Sequence, residues 1–195
     1  MKKILKISIG ILLFIGLQSA NAASLESTQK IFDEARGIGK IYLKQCEPHL
    51  VISNQWQAVT HKEKDIYITS DLVKALTEDE LRAVIYHEVG HAVLRHTTRE
   101  ANWLMSVSAN KTYTKKAHYN LRRTHEYEAD RFASYTLKFT RRPNCLPEAL
   151  FKIVPPEYWN VEFPTHPSVI DRVHKIKIII DKGGICYGSK CIKVC

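Results

Sequence analysis

The chain has 195 residues, 45% hydrophobic and 25% charged, with a formal net charge of +9. That excess favours acidic partners and at most a weak association with an anionic membrane surface. No nucleic-acid partner is expected, because the densest basic stretch, Lys111 to Arg123, interleaves only Tyr113 and Tyr119 and belongs to no recognisable module.

Lys2, Lys3 and Lys6 precede an apolar run from Ile7 to Leu17, and Ala20-Asn21-Ala22 follows as an A-x-A cleavage signal. Residues 1–22 therefore read as a signal peptide, and the run is short for a transmembrane helix. The Lys-led signal looks bacterial, so the expected location is exported, in the periplasm or beyond. Removing these residues leaves 26 basic side chains against 20 acidic. The remaining stretch suits one domain with a sizeable core, taken as 23–182.

From Leu25 to about Gln45 the apolar residues Ile31, Ala35, Ile38, Ile41 and Tyr42 recur at helical spacing. Leu50-Val51-Ile52, Ala58-Val59-Thr60 and Asp65 to Thr69 read as strands, with His61 to Lys64 as a turn. Ser70 to Leu76 reads as a short helix. Thr77 with Glu80 then forms a capping box that opens a longer helix, to which Leu81, Val84, Ile85, Val89 and Ala92 give an apolar surface.

That helix carries His87-Glu88-Val89-Gly90-His91, an H-E-x-x-H pattern. Four residues advance a helix by about 400°, which returns both imidazoles to one face. There they suit one Zn²⁺, with Glu88 beside the water that the metal activates, as general base. Gly90 costs about 1 kcal/mol of helix propensity relative to Ala, an expense that close approach of another backbone would offset. The helix is expected to run on through Trp103 to Ser108, with Thr112 to Tyr119 as a mobile loop. His96 lies five residues beyond His91, about 140° around a continuous helix, and should point elsewhere. The metzincin extension is excluded, since Leu94 and Thr97 stand where Gly and His would be needed.

A third ligand must come from elsewhere. Glu126 and Asp130, one turn apart in Glu126-Tyr127-Glu128-Ala129-Asp130, face the metal helix together. Glu126 would complete a His₂Glu set, and Asp130 would accept from the far nitrogen of a ligand histidine. His125 is the local rival as ligand, and Glu128 should point to solvent. The five cysteines, Cys46, Cys145, Cys186, Cys191 and Cys195, include no C-x-x-C pair. In an oxidising compartment a bridge within the Cys-rich tail, residues 183–195, is preferred, with Cys46–Cys145 as a second.

H-E-V-G-H followed by E-Y-E-A-D resembles the gluzincin metallopeptidases of family forty-eight, the group of the CAAX prenyl proteases and HtpX-like peptidases. Ile66 to Leu72, Glu78 to Leu81 and Ala83 to Tyr86 add to the likeness, as does Thr165-His166-Pro167-Ser168 with Arg172. The likeness spans roughly residues 48 to 178. It implies an α+β zincin fold, in which a small sheet packs against one helix carrying HExxH and a second carrying ExxxD. It also implies one Zn²⁺ per chain on His87, His91 and Glu126, with Glu88 as base and His166 as oxyanion stabiliser. Asp130 would support His87, and Arg172 would hold the metal-side carboxylate or His166.

The chain departs from that family in three places. It has no transmembrane helix after the signal, Asn54-Gln55-Trp56 stands where Asn-Ala-aromatic is common, and the tail has no counterpart. The expectation is a zinc endopeptidase of exported or unfolded envelope proteins, acting on protein or peptide substrates. The alternative is a non-catalytic, zinc-containing and disulfide-stapled binding or chaperone-like protein of the cell envelope, which keeps zinc for structure or holds unfolded clients. The oligomeric state is not legible.

Overall fold

The structure is a computed structural model that describes residues 23–42, 49–53, 58–61, 65–142, 144–182, 185–187 and 190–192. The expected signal segment 1–22, Cys46, Asn54 and Cys195 lie outside them. The elements in chain order are α1 (Leu25–Tyr42), β1 (His49–Ser53), β2 (Ala58–His61), β3 (Asp65–Thr69), α2 (Ser70–Ala75) and α3 (Glu78–Val93). There follow α4 (His96–Ala109), α5 (Lys115–Phe139), α6 (Leu146–Ile153), α7 (Val169–Lys182), β4 (Ile185–Tyr187) and β5 (Lys190–Ile192).

The three expected strands form one sheet in the order β1-β3-β2, with β1 parallel and β2 antiparallel to β3. Ile66 and Ile68 of β3 are fully buried while the residues between them are only partly so, the alternation of a half-buried strand. Thr69 caps α2 by accepting from the Leu72 N–H. The capping box forms as expected, since Thr77 Oγ1 accepts from the Glu80 N–H and Glu80 Oε2 accepts from the Thr77 N–H.

α3 is the central element, packed by α1, α5, α6 and the sheet, so it is buried almost all round rather than along one stripe. Tyr86, Ile85 and Leu81 are fully buried with Phe32 of α1 and Leu137 of α5. Gly90 fits this crowding. A Cβ there would stand 3.3 Å from Ala129 Cα and 3.1 Å from the Phe132 ring on α5. Gly90→Val is expected to destabilise the fold by about 1–3 kcal/mol through overpacking. A denaturant midpoint equal to the parent's would show that α3 and α5 are not in close contact.

Two expectations fail here. The motif helix does not run on, because Leu94 ends it and Arg95 adopts a left-handed conformation (φ 56°) before α4 begins at His96. Nor is Thr112 to Tyr119 a loop throughout. Thr114 caps α5 by accepting from the Ala117 N–H, and the helix runs from Lys115 with its first turn exposed. Among the described residues Cys145 is a free, part-buried thiol, and its expected partner Cys46 lies outside them. In the tail, the β4–β5 register sets Cys186 opposite Cys191. No helix among the described residues is long and apolar enough to cross a membrane.

Candidate active site

α3 turns His87 and His91 toward α5, where Glu126 faces them. Their rings meet edge-on, 4.8 Å between centroids. His87 Nε2 and His91 Nε2 are 3.1 Å apart, and each lies 3.5 Å from a different Glu126 oxygen. Zinc held tetrahedrally by nitrogen and oxygen at about 2.0–2.2 Å sets neighbouring donors roughly 3.4 Å apart. The three separations bracket that value, so the donor set fits zinc. Glu126 is held well below the ordinary carboxylate range: burial opposes this, but the His87 hydrogen bond and the charges of His91 and Arg172 prevail.

A buried ionic layer lies behind the donors. Asp130 Oδ1 accepts from His87 Nδ1 at 2.9 Å. Arg172 of α7 donates to both Asp130 oxygens, through Nε at 2.8 Å and Nη2 at 2.6 Å, and places Nη1 3.4 Å from Glu126 Oε2. Burial alone would lower His87, but its bonds to Asp130 and Glu126 raise it to about 9. Of the two roles expected for Arg172, the geometry gives it the carboxylates.

Glu88 leaves α3 on the side of the sheet. Thr60 Oγ1 on β2 lies 2.7 Å from the Glu88 carbonyl and 2.8 Å from Glu88 Oε2, so one hydroxyl ties the strand to this side chain. Burial raises the Glu88 carboxyl above its ordinary value, against the lowering pull of His87 and Thr60. That direction suits a proton acceptor working near neutrality. β2 is an edge strand, and Ala58 and Thr60 line the cleft that also holds the two histidines.

The cleft has a volume of about 670 Å³. Its far wall is apolar, including Leu150, Val154, Tyr158, Phe163 and Pro164. His166 stands at this wall, 52% exposed, with Nε2 3.7 Å from Glu126 Oε1 and Nδ1 2.8 Å from the Thr165 hydroxyl. Its turn closes through the Phe163 N–H donating to the His166 carbonyl. Arg123 of α5 donates to the Phe163 carbonyl and pairs with Glu162, so the turn is anchored to the helix that carries Glu126.

The structure thus brings together His87, Glu88, His91, Glu126, Asp130, His166 and Arg172. It leaves His125 out. That ring is buried and stacked flat on His96 at 4.2 Å, and its Nε2 has no hydrogen-bond partner among the described residues. Glu128 is not solvated: it is partly buried, 3.0 Å from His96 Nε2 and ion-paired with Arg99. His96 does not point elsewhere, because the left-handed Arg95 returns it toward His91, Nδ1 to Nδ1 at 2.8 Å. Sequence reasoning missed Thr60 and Arg123, and neither carries a local signal. A hydroxyl on a strand and an arginine in a basic run acquire meaning only from what folds against them.

The chain matches the model of the family described as peptidase family M48 over residues 40–115 and 99–180, which together take in the sheet and the helices of the site. No curated protein and no solved structure matches it.

Proposed function

This chain belongs to peptidase family M48, whose members are zinc-dependent metallopeptidases, and from that premise we propose that it is an exported endopeptidase that cuts extended or unfolded segments of envelope proteins. His87, His91 and Glu126 hold one zinc per chain, and the convergence of their donor atoms at 3.1–3.5 Å is the observation that carries this reading. When bound, zinc supplies Lewis acidity to the scissile carbonyl and to the attacking water.

The chain's own groups do the rest. Glu88 accepts the water's proton and passes it to the leaving amine, with Thr60 limiting the swing of its carboxylate. His166 donates from the cleft wall to the oxygen on which charge develops. Asp130 keeps the His87 proton on Nδ1, so that Nε2 presents a lone pair. Among the described residues β2 pairs with a strand on one side alone, β3, and its other edge offers backbone partners to an extended peptide, which supports a preference for unfolded chain over folded substrate.

The rival reading, a non-catalytic protein that keeps zinc for structure, calls for a fourth protein ligand. Among the described residues the donor group contains no cysteine. The test is cleavage of casein by the purified chain before and after chelation. Loss of cleavage on chelation and its return with one equivalent of zinc is expected. Undiminished cleavage by the metal-free chain, or no cleavage with zinc bound, would overturn the endopeptidase reading.

A further inference from the structure

His87 has a carboxylate behind it, whereas His91 does not; behind His91 stands another histidine. α3 ends at Val93, and Arg95 in the left-handed region lets α4 begin immediately at His96. The turn brings the buried His96 ring edge-on to His91 at 4.8 Å, with the two Nδ1 atoms 2.8 Å apart. On its other side His96 Nε2 is 3.0 Å from Glu128 Oε2, and Arg99 donates to the same oxygen. His125 stacks on the flat of the His96 ring, 4° from parallel, and fixes its plane.

We propose that His96 and Glu128 are positioning residues that fix the tautomer and orientation of His91, as Asp130 does for His87. The proposal rests on the reading that His87, His91 and Glu126 hold zinc. With zinc on His91 Nε2, the hydrogen bonds run in one direction only. Glu128, paired with Arg99, accepts from His96 Nε2–H. A His96 ring carrying its proton on Nε2 has a lone pair on Nδ1 and must accept there. His91 therefore keeps its proton on Nδ1 and turns an Nε2 lone pair toward Glu126 and His87. Asp130 and Glu128, two residues apart on α5, thus serve the two histidines of α3, one directly and one through an imidazole.

His96, His125 and Glu128 also lie close enough together to suggest a metal site of their own. Three observations oppose that use. Parallel rings do not direct their lone pairs at one point, both His96 nitrogens are engaged, and a guanidinium occupies Glu128.

The test compares the zinc-loaded parent with His96→Leu and His96→Asn. Zinc affinity would be measured by competition with a chromophoric chelator, beside nitrogen-15 NMR of the histidine rings of the parent. His96→Leu is expected to bind zinc about 10–100-fold more weakly. His96→Asn, whose amide oxygen can take the place of Nδ1, should stay within a few-fold of the parent. The parent spectrum should show the His91 proton on Nδ1. A proton on Nε2, or unchanged affinity in His96→Leu, would overturn the proposal while leaving the zinc site intact. So would two zinc ions per parent chain falling to one in His96→Leu, which would mark a second metal site. A parent that binds no zinc would overturn both this proposal and the reading beneath it.

Discussion

Glu88→Gln should abolish cleavage while leaving zinc content and fold intact. General-base catalysis contributes roughly 10²–10⁴-fold, and a loss of that size is expected in kcat with KM nearly unchanged. The amide matches the carboxylate in size and can still accept from Thr60, so β2 and α3 should stay in register. It cannot take a proton from water. The fold should not weaken. Burial raises the Glu88 carboxyl above its unfolded value, so its contribution to stability is present at low pH and is lost as pH rises through the folded value. Above the ordinary carboxylate range that upward shift is a burden, and the amide, which does not titrate, removes it. The zinc-free variant should therefore melt at or above the parent's Tm. Residual cleavage within tenfold of the parent, with zinc bound, would show that another group takes the proton.

The parts of this site that rest on short-range spacing were legible in the sequence. His87 and His91 sit four apart on a capped helix, and Glu126 and Asp130 sit four apart on another, so each pair is co-facial before any tertiary contact forms. β1, β2 and β3 were legible for a similar reason, since short β-branched runs stood between polar breaks. What failed depended on where a helix stops. A continuous helix puts His96 about 140° from His91, and a non-glycine residue in the left-handed region is a stop that no residue pattern announces. Glu128, which points away from the Glu126–Asp130 face, meets His96 and Arg99 rather than solvent because both lie on the helix that this stop creates. The start of α5 reads as a loop because Lys115 to Ala117 are exposed and the half-buried residues that follow, His118 and Tyr119, are not apolar aliphatics, so no apolar periodicity marks it.

Removal of Arg172 should cost more stability than any other change at the site. Arg172→Met leaves the buried Asp130 carboxylate, which is 2% exposed, with His87 as its remaining partner and takes a counter-charge from Glu126. Breaking a buried pair from one side typically costs about 3–5 kcal/mol, because a charge stays desolvated without its partner. The loss should appear in denaturant unfolding of the zinc-free chain, reduced by what a protonated His87 offsets at Asp130. Arg172→Lys should recover little, since an ammonium cannot bridge both Asp130 oxygens and reach Glu126 as the guanidinium does. The double variant Arg172→Met/Asp130→Leu separates structure from function. Removing both charges should restore most of the stability, because the stranded carboxylate is the larger part of the penalty. It should not restore zinc affinity, which is expected to remain about 10–100-fold below the parent's once His87 has no acceptor at Nδ1. A double variant that regained tight zinc binding along with its stability would show that Asp130 only neutralises Arg172, and that His87 needs no partner to present its lone pair.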